Sequence, residues 1–151
     1  MARSRPILEA HFLVPCRAAP WNGPPGPRTS RTLEDVTYVY RTDTPGGFPY
    51  ETDFWLFTRL AHRGRRDFTR ELQATLVWHG DPLRRAEVCT RPFLPVTFRP
   101  AIPVRDIAAS FSAVYEGPGV YEFRLWHPVV RKWDQRRRRR TLARAWVRIE
   151  G

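Results

Sequence analysis

"FTRELQATLVWH", residues 68–79, can be read as either of two structures. Phe68, Leu72 and Leu76 fall at i, i+4 and i+8, which would suit one face of a helix. The same letters also alternate with period two. Phe68, Leu72, Ala74, Leu76 and Trp78 fall on one side, and Thr69, Glu71, Gln73 and Thr75 on the other. Thr75, Val77 and Trp78 crowd the second half, and β-branched and aromatic side chains favour a strand. The neighbours decide it, because period-two alternation recurs along the whole chain.

Upstream, "PILEAHFLVP" reads as a strand over about 6–14 and "LEDVTYVY" as a second, with Val36, Tyr38 and Tyr40 on one face. A Pro/Gly-rich loop, 16–32, separates them. "DFWLFTRLA" is apolar on both faces, Phe54, Leu56 and Leu60 against Trp55 and Phe57, so it belongs in the middle of a sheet. Downstream, "FLPVTF" (93–98) lies among Pro92, Pro95 and Pro100, which marks an edge strand because proline donates no ladder hydrogen bond. "DIAASFSAVYEG", "VYEFRLWH" and "TLARAWVRIE" complete the set, the last with Leu142, Arg144, Trp146 and Arg148 on one face. Eight strands and no convincing helix or internal repeat predict an all-β fold. The expected form is a single antiparallel β-sandwich over 1–151, immunoglobulin-like in general architecture. "GPGVYEF" has the form of a tyrosine corner, in which the Tyr121 hydroxyl would bond backbone across the turn.

"AHFLVPC", "FPYETDFWLFTRL" and "YEGPGVYEFRLW…LARAWVRI" together resemble a bacterial family of small β-sandwich proteins of unknown function. The likeness covers most of residues 6–150 and rests on structural motifs. It implies the sandwich and brings no activity, cofactor or catalytic residue with it. The loop at 16–31 and the arginine run at 136–140 depart from the family pattern.

Of 151 residues, 42% are hydrophobic and 13% aromatic, a globular composition with enough apolar matter for one core. Formal net charge is +11, and Lys132 is the only lysine among 26 basic residues. Asn22 is the only asparagine, so a GC-rich genome accounts for the skew more simply than selection for guanidinium groups. The charge still attracts polyanions whatever its origin. Cys16 and Cys89 lack metal-ligand spacing and are too few for a disulfide scaffold. Glu9 and His11 interrupt the "ILEAHFLV" run, which is too short for a signal-peptide core. No apolar stretch approaches the roughly 20 residues a membrane helix needs. The expectation is a cytoplasmic protein with no cofactor and no membrane insertion.

"RKWDQRRRRR" places five consecutive arginines in what reads as a basic hairpin loop, 129–140. If the eight strands simply alternate in direction, the loops near 15–32, 62–67, 99–106 and 129–140 share one end. That end would hold fifteen basic residues against three acids, with Trp21 and Trp133 available for stacking. Candidate polyanion-binding residues are Arg63, Arg65, Arg66, Arg131, Lys132, Trp133, Arg136, Arg137, Arg138, Arg139 and Arg140. The plainer reading is a solvated tip whose charge discourages aggregation. Arg144, Trp146 and Arg148 form the candidate protein interface, since Trp and Arg are enriched at hot spots. The alternative is a covering sheet over Trp146 with the arginine stems alongside.

Catalytic signals are thin. His11, His62, His79 and His127 show no HxH or HExxH spacing, so a metal site would have to assemble from distant loops. "WHGDP" sets His79 near Asp81, as a general base could use, but "GDP" is more simply a turn. No G-x-S-x-G, P-loop or paired carboxylates occur, and "GPPGP" lacks the free N–H groups a phosphate cradle needs. The sequence therefore favours a non-enzymatic binding or interaction module with an unknown protein partner. The alternatives are a polyanion or nucleic-acid binder and, more remotely, an enzyme of unrecognised type.

Overall fold

A computed structural model describes residues 8–17, 39–42, 47–81, 84–131 and 134–151. These form ten strands: β1 (Leu8–Cys16), β2 (Val39–Arg41), β3 (Tyr50–His62), β4 (Phe68–Arg70), β5 (Gln73–Asp81), β6 (Arg84–Pro92), β7 (Val96–Phe98), β8 (Val104–Tyr115), β9 (Gly119–Arg131) and β10 (Asp134–Glu150). They make a three-stranded sheet, β1-β3-β8, a five-stranded sheet, β2-β10-β9-β5-β6, and a two-stranded ribbon, β4-β7. All pairings are antiparallel except β2 with β10. The fold is all-β as expected, but with ten strands in three sheets instead of eight in one sandwich.

The opening stretch is strand, broken once. β4 pairs with β7, Glu71 and Leu72 step across, and β5 joins the large sheet between β9 and β6. The side-chain phase survives the break: Leu72, Ala74 and Leu76 are buried, while Thr69 and Glu71 are exposed. β3 sits centrally, and its apolar second face is used, Phe57 packing against Phe12 at 5.3 Å.

The two larger sheets share one core. Phe54 of β3 meets Phe123 of β9 edge-on at 5.8 Å, Phe111 of β8 meets Phe123 at 5.4 Å, and Tyr115 meets Tyr121 at 4.8 Å. Ala145, Val147 and Ile149 close it from β10. At the β8–β9 turn the Tyr121 hydroxyl donates to the Gly117 carbonyl at 2.7 Å, the bond expected of a tyrosine corner. Gly119 follows with φ +134°, a conformation other residues rarely adopt, and a Cβ there would lie 3.1 Å from the Gly80 Cα.

Two differences matter for the charge. Residues 84–92, absent from the eight strands read in the sequence, form the edge strand β6, whose exposed charged side chains hid its alternation. Residues 129–140, read as loop, are the continuation of β9 and β10, separated only by residues 132–133. Pairing continues as far as Asp134 opposite Arg131. Most of the arginine run is therefore held in a strand.

Candidate interaction face on the five-stranded sheet

Alternation along β9 sends Tyr121, Phe123 and Leu125 into the core and Glu122, Arg124 and Trp126 to the opposite face. Glu122 faces away from the core yet is only 2% exposed, because its neighbours lie over it. Arg124 donates through Nε and Nη2 to both carboxylate oxygens, at 2.9 and 2.8 Å. His79 of β5 donates from Nε2 at 2.8 Å. Arg144 of β10 approaches to 3.5 Å. Burial alone would raise the Glu122 carboxyl. Hydrogen bonds from Arg124 and His79, with the charges of Arg124 and Arg144, outweigh it and hold the group below its ordinary value. The Arg124 guanidinium is raised in turn by its bond to Glu122.

Trp146 stands directly across the ladder from Glu122, flanked along β10 by Arg144 and Arg148. Trp146 is 49% exposed, the side chain of Arg144 is 52% exposed, and Arg148 is exposed. No second sheet covers them among the described residues. Further along the same face Trp126 donates from Nε1 to Thr75 Oγ1 at 2.8 Å and lies under the Arg139 guanidinium, 4.7 Å from ring to cation. Arg139 also pairs with Glu87 of β6 at 2.9 Å, the main reason that carboxyl is held low. The result is a flat, polar face on which carboxylates fix the arginines and one tryptophan projects.

The other candidate residues are more dispersed. Arg63 is paired with Glu9 at 2.6 Å, and Arg65 and Arg66 are exposed in the turn after β3. Arg138, Arg139 and Arg140 are exposed on β10. Lys132 and Trp133, and the side chains of Arg131, Arg136 and Arg137, lie outside the described residues, as do Trp21, Arg28 and Arg31. The single basic end is only partly reproduced. The turn after β3, the β7–β8 connection and the β9–β10 hairpin do share one end of the sheets. β1, however, finishes at the opposite end, where Arg17 donates to Thr52 Oγ1 at 2.6 Å and to the Asp53 carbonyl at 2.9 Å. Simple alternation fails at the start of the chain: it would run β1 and β3 in the same direction, whereas they pair antiparallel.

His79 takes Glu122 as its partner. His62 and His127 are both buried at the basic end, and burial is the leading cause that lowers each below its ordinary value. His62 stacks on Phe68 at 4.1 Å, and the Nε2 atoms of both imidazoles lack a hydrogen-bond partner. Among the described residues no three His, Cys, Asp or Glu side chains group to hold a metal ion, and no helix is long and apolar enough to cross a membrane. Sequence reasoning missed Glu122. The available signal was Glu122 and Arg124 two apart on the polar side of a strand.

No protein-family model matches the chain, and no curated protein matches it.

Proposed function

We propose that the two larger sheets constitute an immunoglobulin-like β-sandwich that serves as a non-enzymatic protein-interaction module. The contact face is the outer surface of the five-stranded sheet, centred on Trp146. The observation that carries this reading is a half-exposed tryptophan between two exposed arginines on a long strand. Its neighbouring carboxylate, Glu122, is already neutralised from within the chain. Tryptophan and arginine dominate interface energetics, and a sheet face presents them without a large ordering cost. The partner is expected to be a protein surface with an apolar pocket rimmed by Asp or Glu. Pairing the face with itself across a two-fold axis would set arginines against arginines, which disfavours self-association.

An array of acidic peptides with a central Leu or Phe provides the test, scored by the Trp146 indole resonance in titrations. Binding peptides should move that signal. Trp146→Ala should weaken them about thirty-fold, the equivalent of a hot spot of roughly 2 kcal/mol, with the fold intact. An array in which nothing binds, or binding that survives Trp146→Ala, overturns the reading.

A further inference from the structure

We infer that the distal β9–β10 ribbon, residues 127–131 and 134–140, is a second binding site, a two-stranded arm that enters the major groove of duplex DNA. β5 begins at Gln73, opposite Trp126, so β9 beyond that point pairs with β10 alone. Pro128 sits just past the junction and has no N–H to offer a further strand on the open side. The arm is thus a two-stranded ribbon in place of the solvated loop suggested by the letters. Residues 127–140 carry seven basic side chains and one acid, Asp134, against +11 for the whole chain.

Geometry and charge favour a groove. Two strands lie about 5 Å apart, and the five β9 residues of the arm extend about 15 Å, with β10 taking up two extra residues in an irregularity between Asp134 and Arg138. A two-stranded ribbon of that width fits the ~12 Å major groove of B-DNA, and that length follows it for about half a turn. Both faces of the ribbon carry cations. Arg139 shares its face with Trp126, and Arg138 and Arg140 occupy the positions opposite Val129 and His127 on the other. Arg70 of β4 and Arg140 both act on the His127 imidazole, so a cation outside the arm stands at its root. The root is fixed: Glu87 and the Trp126 ring hold Arg139. A preorganised ribbon loses little entropy on docking. The major groove of duplex RNA is too narrow and deep to admit the ribbon.

Fluorescence anisotropy with labelled 20-base-pair DNA, the matching single strand and duplex RNA, titrated with salt, tests the inference on the intact protein. Duplex DNA should bind at least tenfold more tightly than either other probe near physiological salt. With about four phosphates engaged, the log–log salt slope should be about −3.6. Arg138→Ser with Arg140→Ser should weaken duplex binding at least tenfold and flatten the slope by about 2. Both arginines are exposed, where a side-chain interaction is worth under about 1 kcal/mol, so thermal unfolding should fall by a few degrees at most. Trp146→Ala should leave DNA binding unchanged, which separates this site from the sheet face. Equal affinity for all three probes, binding confined to low salt, or indifference to the double substitution overturns the proposal.

Discussion

Replacing Glu122 with Gln keeps the shape of the hub on the sheet face and deletes its charge. Two Arg124 bonds, one His79 bond and the 3.5 Å approach of Arg144 converge on this carboxylate. The amide retains one acceptor oxygen, and its NH₂ replaces an oxygen to which Arg124 donates, a guanidinium that cannot accept. Breaking a buried pair from one side costs about 3–5 kcal/mol. Arg124 and His79 are 29% and 23% exposed and can recover some water, so the expected loss is about 2–4 kcal/mol. With a urea slope of about 2 kcal/mol/M, the unfolding midpoint should fall by about 1–2 M at pH 7. Arg144→Ala should cost under about 1 kcal/mol, since that side chain is 52% exposed. The pH dependence supplies a second check. A carboxyl held below its unfolded value stabilises the fold above that value, and the contribution is lost as pH falls through the folded one. The gap between wild type and Glu122→Gln should therefore be full at pH 7 and close below the ordinary carboxyl value of 4.5. A Gln variant within 0.5 kcal/mol of wild type at pH 7, or a gap that does not narrow in acid, refutes the hub as a stabilising charge cluster.

Tyr121→Phe removes the 2.7 Å bond to the Gly117 carbonyl inside a buried corner, and should cost about 1–2 kcal/mol in chemical denaturation. His62 is held neutral in the fold and protonates first in the unfolded chain, so its contribution is present above its ordinary value of 6.5 and falls away as pH drops below it. His62→Phe should reduce the loss of stability below pH 6.5 by up to about 1.4 kcal/mol per pH unit, read as urea midpoints at successive pH values.

The parts of the fold that were legible in the letters are those governed by burial. Phe54, Leu56 and Leu60, Tyr121, Phe123 and Leu125, and Ala145, Val147 and Ile149 face the core as their alternation requires. Central placement of β3 followed from having two apolar faces, and the Tyr121 corner from its glycines and spacing. Strand β6 was not legible, because an edge strand with charged exposed residues carries no apolar period and "GDP" reads as a turn. The arm escaped for a related reason: five identical side chains have no period at all, and the partner that makes them a strand, β9, lies on the other side of the hairpin. Strand direction failed at β1, which alternation would run alongside β3 but which pairs with it antiparallel, a relation no local pattern in either strand specifies. The interface triad Arg144–Trp146–Arg148 could be read along one strand. Glu122 as its anchor could not, because that relation exists only in the register between β9 and β10.

The same register links the two proposed surfaces. Trp146 pairs with Glu122 at one end of the β9–β10 ladder, and Arg139 pairs with Pro128 at the other. Glu122 and Glu87 each hold an arginine in place, and Arg139 is further seated on Trp126. On the two proposed surfaces Glu122 and Glu87 hold Arg124 and Arg139, while Arg148 on the face and Arg138 and Arg140 on the arm are exposed. Fixing inner guanidinium groups with carboxylates lowers the entropy lost on binding and leaves the outer charge for a partner. The acids of this face thus act as scaffolding for its cations.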